Sequence, residues 1–115
     1  MGLMLGDVIK PAPSPVENRV LSITAEQQGL TLCFSELPPI DSGQSQGVYW
    51  LSFMHAFAQP QKGELQIEEA LTVRWQLEQR RTGLQLGFVA LERLQGQWRQ
   101  LDTQGCVEIQ LSKHK

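Results

Sequence analysis

The stretch GELQIEEALTVRWQLEQRRTGLQLGFVAL, residues 63–91, decides the fold. Leu65, Ile67, Leu71, Val73, Trp75 and Leu77 all fall on odd positions. Their even neighbours Glu64, Gln66, Glu68, Thr72, Arg74, Gln76 and Glu78 are polar, and only Ala70 breaks the rule. A period of two is what a half-buried strand requires, because successive side chains point to opposite faces of a sheet. A helix would instead gather Ile67, Leu71, Arg74, Trp75 and Glu78 on one face and carry charge into the core. The strand reading therefore overrides the helix propensity of the Glu, Gln, Leu and Ala residues.

The alternation resumes after Arg80-Arg81-Thr82-Gly83 with Leu84, Leu86, Phe88 and Ala90, now on even positions. A turn centred on Arg81-Thr82 pairs Leu77 with Leu86, Trp75 with Phe88 and Val73 with Ala90, all on one face. A slip of one residue would turn one apolar set into water, so the pattern specifies the register. Gly83 suits a positive φ at the turn exit. Gly87 falls opposite Gln76 on the second face and reads as a bulge or a close backbone approach.

Outside this centre, residues 19–25 form a first strand. A Glu26-Gln27-Gln28-Gly29 connection leads to a second strand carrying Leu30, Leu32 and Phe34. Pro38-Pro39 ends that hairpin, and the polar residues 41–47 read as a loop. Residues 48–58 are apolar almost throughout. Trp50, Phe53, Met54 and Phe57 have helical spacing, but the aromatic content and flanking polar segments favour a buried strand. After Leu91, Gln95-Gly96 reads as a tight hairpin turn, with Glu92 facing Arg99 and Ala90 facing Leu101. The alternative there is a helix with Leu91, Leu94, Trp98 and Leu101 on one side and Gly96 as a defect of about 1 kcal/mol. Val107, Ile109 and Leu111 alternate in a last strand.

The expected fold is all-β: a small antiparallel barrel or sandwich of six to seven strands, with room for one short helix. A chain of 115 residues is one domain by size. Residues 1–18, with Pro11, Pro13 and Pro15, read as an extended arm, residues 19–111 as the domain and residues 112–115 as a tail.

The net charge of −2 leaves no overall electrostatic footprint for nucleic acid. No apolar run approaches the ~20 residues of a membrane helix. The start of the chain lacks the basic, apolar pattern of a signal peptide. The expectation is a cytoplasmic protein with Cys33 and Cys106 as reduced thiols, although two cysteines alone leave a disulfide open. No metal-ligand spacing or serine-nucleophile elbow occurs. Either cysteine with His55 is a nucleophile–base pair in principle only. Glu68 and Glu69, adjacent on a strand, would point to opposite faces and form no carboxylate pair. No cofactor is expected.

One order of signals resembles a PilZ domain. Ser22-Ile23-Thr24-Ala25 followed by Gly29-Leu30-Thr31-Leu32 is similar to that family's early strand pair. Leu71-Thr72-Val73-Arg74-Trp75 looks like the strand ending in Val-x-Trp, and residues 83–91 like the late Gly-hydrophobic segment. The resemblance implies a six-stranded barrel followed by a helix, here over residues 92–101, and in many members cyclic di-GMP binding. This chain departs from the pattern that binds the nucleotide. Arg19 is the sole arginine before Arg74, so the Arg-x-x-x-Arg loop is missing. Glu26 also stands where the second motif has Ser. Cyclic di-GMP is therefore not an expected ligand.

Two functions follow as expectations. The first is a non-enzymatic regulatory or adaptor module that binds another protein, with Arg80, Arg81, Arg93, Trp98 and Arg99 as contact residues, since arginine and aromatic anchors dominate interfaces. A homo-oligomer is compatible with it. The second is a small-ligand barrel or enzyme whose apolar pocket is lined by Trp50, Phe53, Met54, Phe57, Trp75 and Phe88.

Overall fold

Ten strands run through residues 18–68, 71–101 and 105–113, the parts of the chain that the computed structural model describes. They are β1 (Asn18–Glu26), β2 (Gly29–Phe34), β3 (Ile40–Ser45), β4 (Val48–Met54), β5 (Ala56–Phe57), β6 (Gln61–Ile67), β7 (Leu71–Arg80), β8 (Gly83–Ala90), β9 (Leu94–Gln100) and β10 (Cys106–Lys113). One sheet has the order β5-β1-β2-β10-β9 and the other β3-β4-β8-β7-β6. All neighbours are antiparallel except the short parallel pair β1–β5. The architecture is all-β, two five-stranded sheets over one core, and the described residues include no α-helix.

The register of the central hairpin is the one the alternation requires. Leu77 pairs with Leu86, Trp75 with Phe88 and Val73 with Ala90, about a turn at Arg81-Thr82. Gly83 has φ 152°, and a Cβ there would lie 2.1 Å from the Phe53 carbonyl oxygen. β8 is the middle strand of its sheet. Its even side chains join Tyr49, Leu51 and Phe53 of β4 and Val73 and Leu77 of β7 in the core. Leu30, Leu32 and Phe34 of β2 and Val107, Ile109 and Leu111 of β10 close over them from the other sheet. Phe34 and Phe53 meet across the two layers with ring centroids 5.0 Å apart.

Several expectations change. The described residues hold ten strands because β3 and β5 are added and the stretch read as one strand is the antiparallel pair β6 and β7. Leu65 pairs with Val73 and Ile67 with Leu71, so odd residues meet odd residues and the alternation continues unbroken through the reversal. Glu68, at φ 40°, lies in that reversal, and Glu69 lies outside the described residues. Residues 40–45, expected mostly as loop, form edge strand β3. Backbone pairing to β4 decides this, since only one side of a polar edge strand needs cover.

Neither reading of residues 92–101 holds. The chain reverses at residues 91–93 and β9 runs straight through Gly96, paired along its length with β10. The helix implied by the PilZ resemblance is therefore replaced by a strand. Glu92 reaches Lys113 at 3.6 Å, while Arg99 pairs with Glu108 at 2.7 Å. Asn18 belongs to β1, and Ser112 and Lys113 to β10. Residues 1–17 of the arm lie outside the described residues.

The thiols also differ from expectation. Cys33 and Cys106 are directly opposed on β2 and β10 and form a disulfide, with Cα atoms 4.0 Å apart. The strand pairing sets this juxtaposition. The sequence separation of 73 hides it from any reading of local sequence.

Gly96 explains why β9 tolerates a glycine. A Cβ at Gly96 would lie 2.4 Å from ring atoms of Tyr49, which reaches over from the other sheet. Beside this contact, Trp98 Nε1–H donates to Ser42 Oγ at 3.1 Å. Burial pushes the Tyr49 hydroxyl above its ordinary value, and a hydrogen bond with Ser42 pulls it partly back.

Two outcomes follow. Gly96→Ala lowers stability by about 1–3 kcal/mol through overpacking. In a Tyr49→Ala background the same substitution loses that penalty, and urea unfolding of the four proteins measures the difference. Tyr49 is the sole tyrosine, so tyrosinate absorbance reports it directly. Its folded pKa is raised, so the associated stabilisation is present below the unfolded value of about 10 and is lost as pH rises through the folded value. Tyr49→Phe removes that alkaline loss.

Candidate binding groove on the outer sheet face

The parity that sends the even residues of β8 inward sends Gln85, Gly87 and Val89 outward. On one side stand the outward residues of β4, Val48, Trp50 and Ser52. On the other stand Arg74, Gln76, Glu78 and Arg80 of β7. Gly87 has no side chain, and a Cβ built on it would meet only Val48 Cγ1, at 3.8 Å. The outer face consequently dips along β8 between two taller walls. Around Gly87 a depression of about 740 Å³ crosses from Val48 of β4 past Gln76 and Arg74 of β7 to Lys62, Gly63 and Glu64 of β6. Adjoining depressions carry it past Trp50, Gln85 and Arg80 to Met54 and Thr82.

The walls differ in chemistry. The indole of Trp50 lies over Gly43 of β3, whose missing side chain makes room for it. Trp50 and Val48 form the apolar wall. The β7 wall is a polar ladder: Gln76 Nε2–H donates to Glu78 at 2.9 Å, Arg80 donates to Glu78, and Arg80 Nε–H donates to Gln85 at 3.1 Å. Arg74 pairs at 3.5 Å with Glu64, directly opposite it on β6. These exposed pairs add little stability, of order 0–1 kcal/mol each, but they hold the side chains in a row and balance the wall's charge.

The near end of the groove is braced. His55, at φ 59°, takes the chain from β4 into β5, and its N–H donates to the Thr82 carbonyl at 2.8 Å. Gln79 clips the two turns together. Its amide donates to the carbonyls of Ala56 at 3.4 Å and of Gly83 and Arg80 at 3.1 Å, and accepts from the Ala58 N–H at 3.2 Å. Met54 and Phe57, 37% and 43% exposed, stand at this corner. Leu91 is fully exposed at the far end.

The five residues singled out from sequence do not form one cluster. Arg80 lies on the groove wall and Arg81 in the turn at its near end. Arg93 lies just past the far end, separated by the length of β8, about 24 Å at ~3.4 Å per residue. Arg99 is on the outer face of the other sheet, paired with Glu108, and Trp98 faces inward against Ser42. The six aromatic and methionine residues of the pocket reading also diverge. Phe53 and Phe88 are fully buried in the core, Trp50 faces outward, and Met54 and Phe57 lie at the corner.

Trp50 and Gly87 carry the groove, and parity is the signal that finds them. Tyr49, Leu51 and Phe53 take the inward positions, which leaves Trp50 outward. Gly87 is neither bulged nor covered by another backbone. Among the described residues no group of His, Cys, Asp or Glu could hold a metal ion. Both sulfurs are in the disulfide, so neither cysteine serves His55 as a nucleophile. No described helix is long and apolar enough to cross a membrane. No protein-family model, curated protein or solved structure matches the chain.

Replacing Gln79 by Ala removes the partner of the Ala58 N–H and loosens the corner. A loss of about 0.5–1.5 kcal/mol per bond is expected. Amide exchange should quicken at Ala58 and His55 and stay unchanged at Leu51 and Leu86.

Proposed function

We propose that this chain is a non-enzymatic adaptor module that holds an extended segment of a partner protein in the groove over β8. The observation that carries the reading is the open outward position of Gly87 between an aromatic wall and a polar one. A groove parallel to a strand, with span for roughly six extended residues at ~3.4 Å each, matches a polypeptide in extended form. Trp50 supplies the large rigid contact that dominates interface energetics, and Arg80 and Arg74 supply directional donors at its rim. The internally balanced charge of the walls suits a segment of mixed apolar and polar residues better than a phosphate backbone. This keeps the partner-binding half of the PilZ-like expectation and sets its nucleotide ligand aside. The Cys33–Cys106 bond favours an oxidising compartment over the cytoplasm.

Gly87→Gln fills the groove without touching the core, because the space above Gly87 is open. Its folding midpoint should hold or rise, since glycine weakens a strand interior. In affinity capture from source-cell extract, a partner held by the native chain should fall about tenfold or more with Gly87→Gln and with Trp50→Ala, a loss of at least ~1.4 kcal/mol. Arg99→Ala, on the opposite sheet, should leave capture unchanged. Equal capture by all four proteins contradicts the proposal.

A further inference from the structure

The first sheet has an edge whose composition differs from the others. β5 covers only Asn18 and Arg19 of β1, and no described strand lies on that side of residues 20–26. The two-residue turn at Gln27-Gln28 makes Glu26 and Gly29 a hydrogen-bonded pair, so Thr24 and Ser22 also bond to β2. The intervening Ile23 and Ala25 therefore direct their N–H and C=O groups outward, away from β2. Natural edges are blunted by charge, proline, β-bulges or short length, and glycine weakens a strand interior. The edge strand β3 carries Asp41 and Gly43, β6 carries Lys62, Gly63 and Glu64, and β9 carries Gly96 and Arg99. Residues 20–25, Val-Leu-Ser-Ile-Thr-Ala, contain no charge, proline or glycine, and their one irregularity is the bulge at Leu21. Leu21 sits in a bulge, 67% exposed, and Val20 and Ile23 are only partly covered by the core they border.

We propose that residues 20–26 of β1 pair antiparallel with the same residues of a second copy, joining the two first sheets into one continuous sheet. The strand is self-complementary about Ile23. A two-fold axis there sets Ile23 against its own copy and Ser22 against Thr24 of the second copy, and brings Ala25 beside the bulge at Leu21 of the second copy. The outward-directed groups of Ile23 then bond to each other across the axis, and Leu21, Val20 and Ile23 lose water contact together. Glu26 falls opposite Val20 of the second copy, so no like charges are brought face to face. A closed, isologous contact of this kind stops at two copies. The groove over β8 is on the other sheet and stays open in the dimer, so this inference stands apart from the partner reading.

Sedimentation equilibrium of the full chain, oxidised, across a wide concentration range tests it. The mass should rise from 13.0 kDa toward twice that value with concentration. Leu21→Lys and Ala25→Pro should both hold the mass at the monomer value. Leu21 is exposed and the Ala25 N–H faces away from β2, so neither change breaks a bond within the fold. Far-ultraviolet circular dichroism confirms that the variants fold, and Leu21→Lys keeps the test intact should the proline disturb β1. Amide exchange at Ile23 and Ala25 should slow only as the dimer forms. A native chain that stays at 13.0 kDa, variants that dimerise equally well, or full protection of both amides in the monomer would each overturn the proposal.

Discussion

Everything in this protein depends on the two-residue periodicity of β8 and its neighbours. One set of side chains, Leu84, Leu86 and Phe88, is buried against β2 and β10 of the facing sheet. The complementary set, Gln85, Gly87 and Val89, floors the outer groove. The two surfaces are one choice seen from opposite sides. A slip of one residue would bring Gly87 and Gln85 into the core and turn Phe88 to water. Each large apolar side chain so exposed forfeits roughly 1.5–3 kcal/mol. The alternative register is excluded by several such terms at once, which is why the hairpin is so well specified.

Aromatic rings seated on glycines recur around that frame. Tyr49 reaches Gly96 between the sheets, Trp75 covers Gly63 on β6, and Trp50 covers Gly43 on β3. In each case the glycine is on an edge strand and the ring comes from another strand. A ring in that position shields backbone that a glycine leaves bare, while the glycine allows the ring to lie close. These edge glycines are packing positions, not turn signals. The disulfide acts on the outside of the first sheet, tying β2 to β10 where the strands already pair. By closing a long loop it restricts the unfolded chain, an effect typically of about 2–4 kcal/mol.

What was legible in the sequence follows the same physics. The β7–β8 and β1–β2 hairpins are local and joined by two-residue turns; parity sets the first, while in β1 a bulge at Leu21 puts Val20 and Ile23, of opposite parity, both against the core. β3 was missed because its residues are polar and its strand character comes from β4, not from any burial pattern of its own. β9 was misread because Gly96 looks like turn chemistry until Tyr49 is seen above it. The cysteine pairing depends on which strands become neighbours, a non-local fact. The groove lies between these cases. Its polar wall and Gly87 were visible as outward positions, but Trp50 was placed with the apolar residues of its strand. Hydrophobicity and parity disagree there, and parity is the better guide. The arginines were grouped by their closeness in the chain, and the length of β8 separates them.

The central claim, that this one register sets both core and groove, is tested most directly by backbone NOEs in the oxidised full chain. With Arg80 and Gly83 flanking a two-residue turn, Leu77–Leu86 and Trp75–Phe88 are non-hydrogen-bonded pairs, whose Cα atoms approach to about 4.5 Å. Strong Hα–Hα NOEs for both pairs, with Leu51 and Leu86 neighbours across β4 and β8, are the predicted result. Contacts displaced by one residue, Trp75 to Gly87 or Leu77 to Gln85, would contradict the account, as would helical connectivities through residues 71–80.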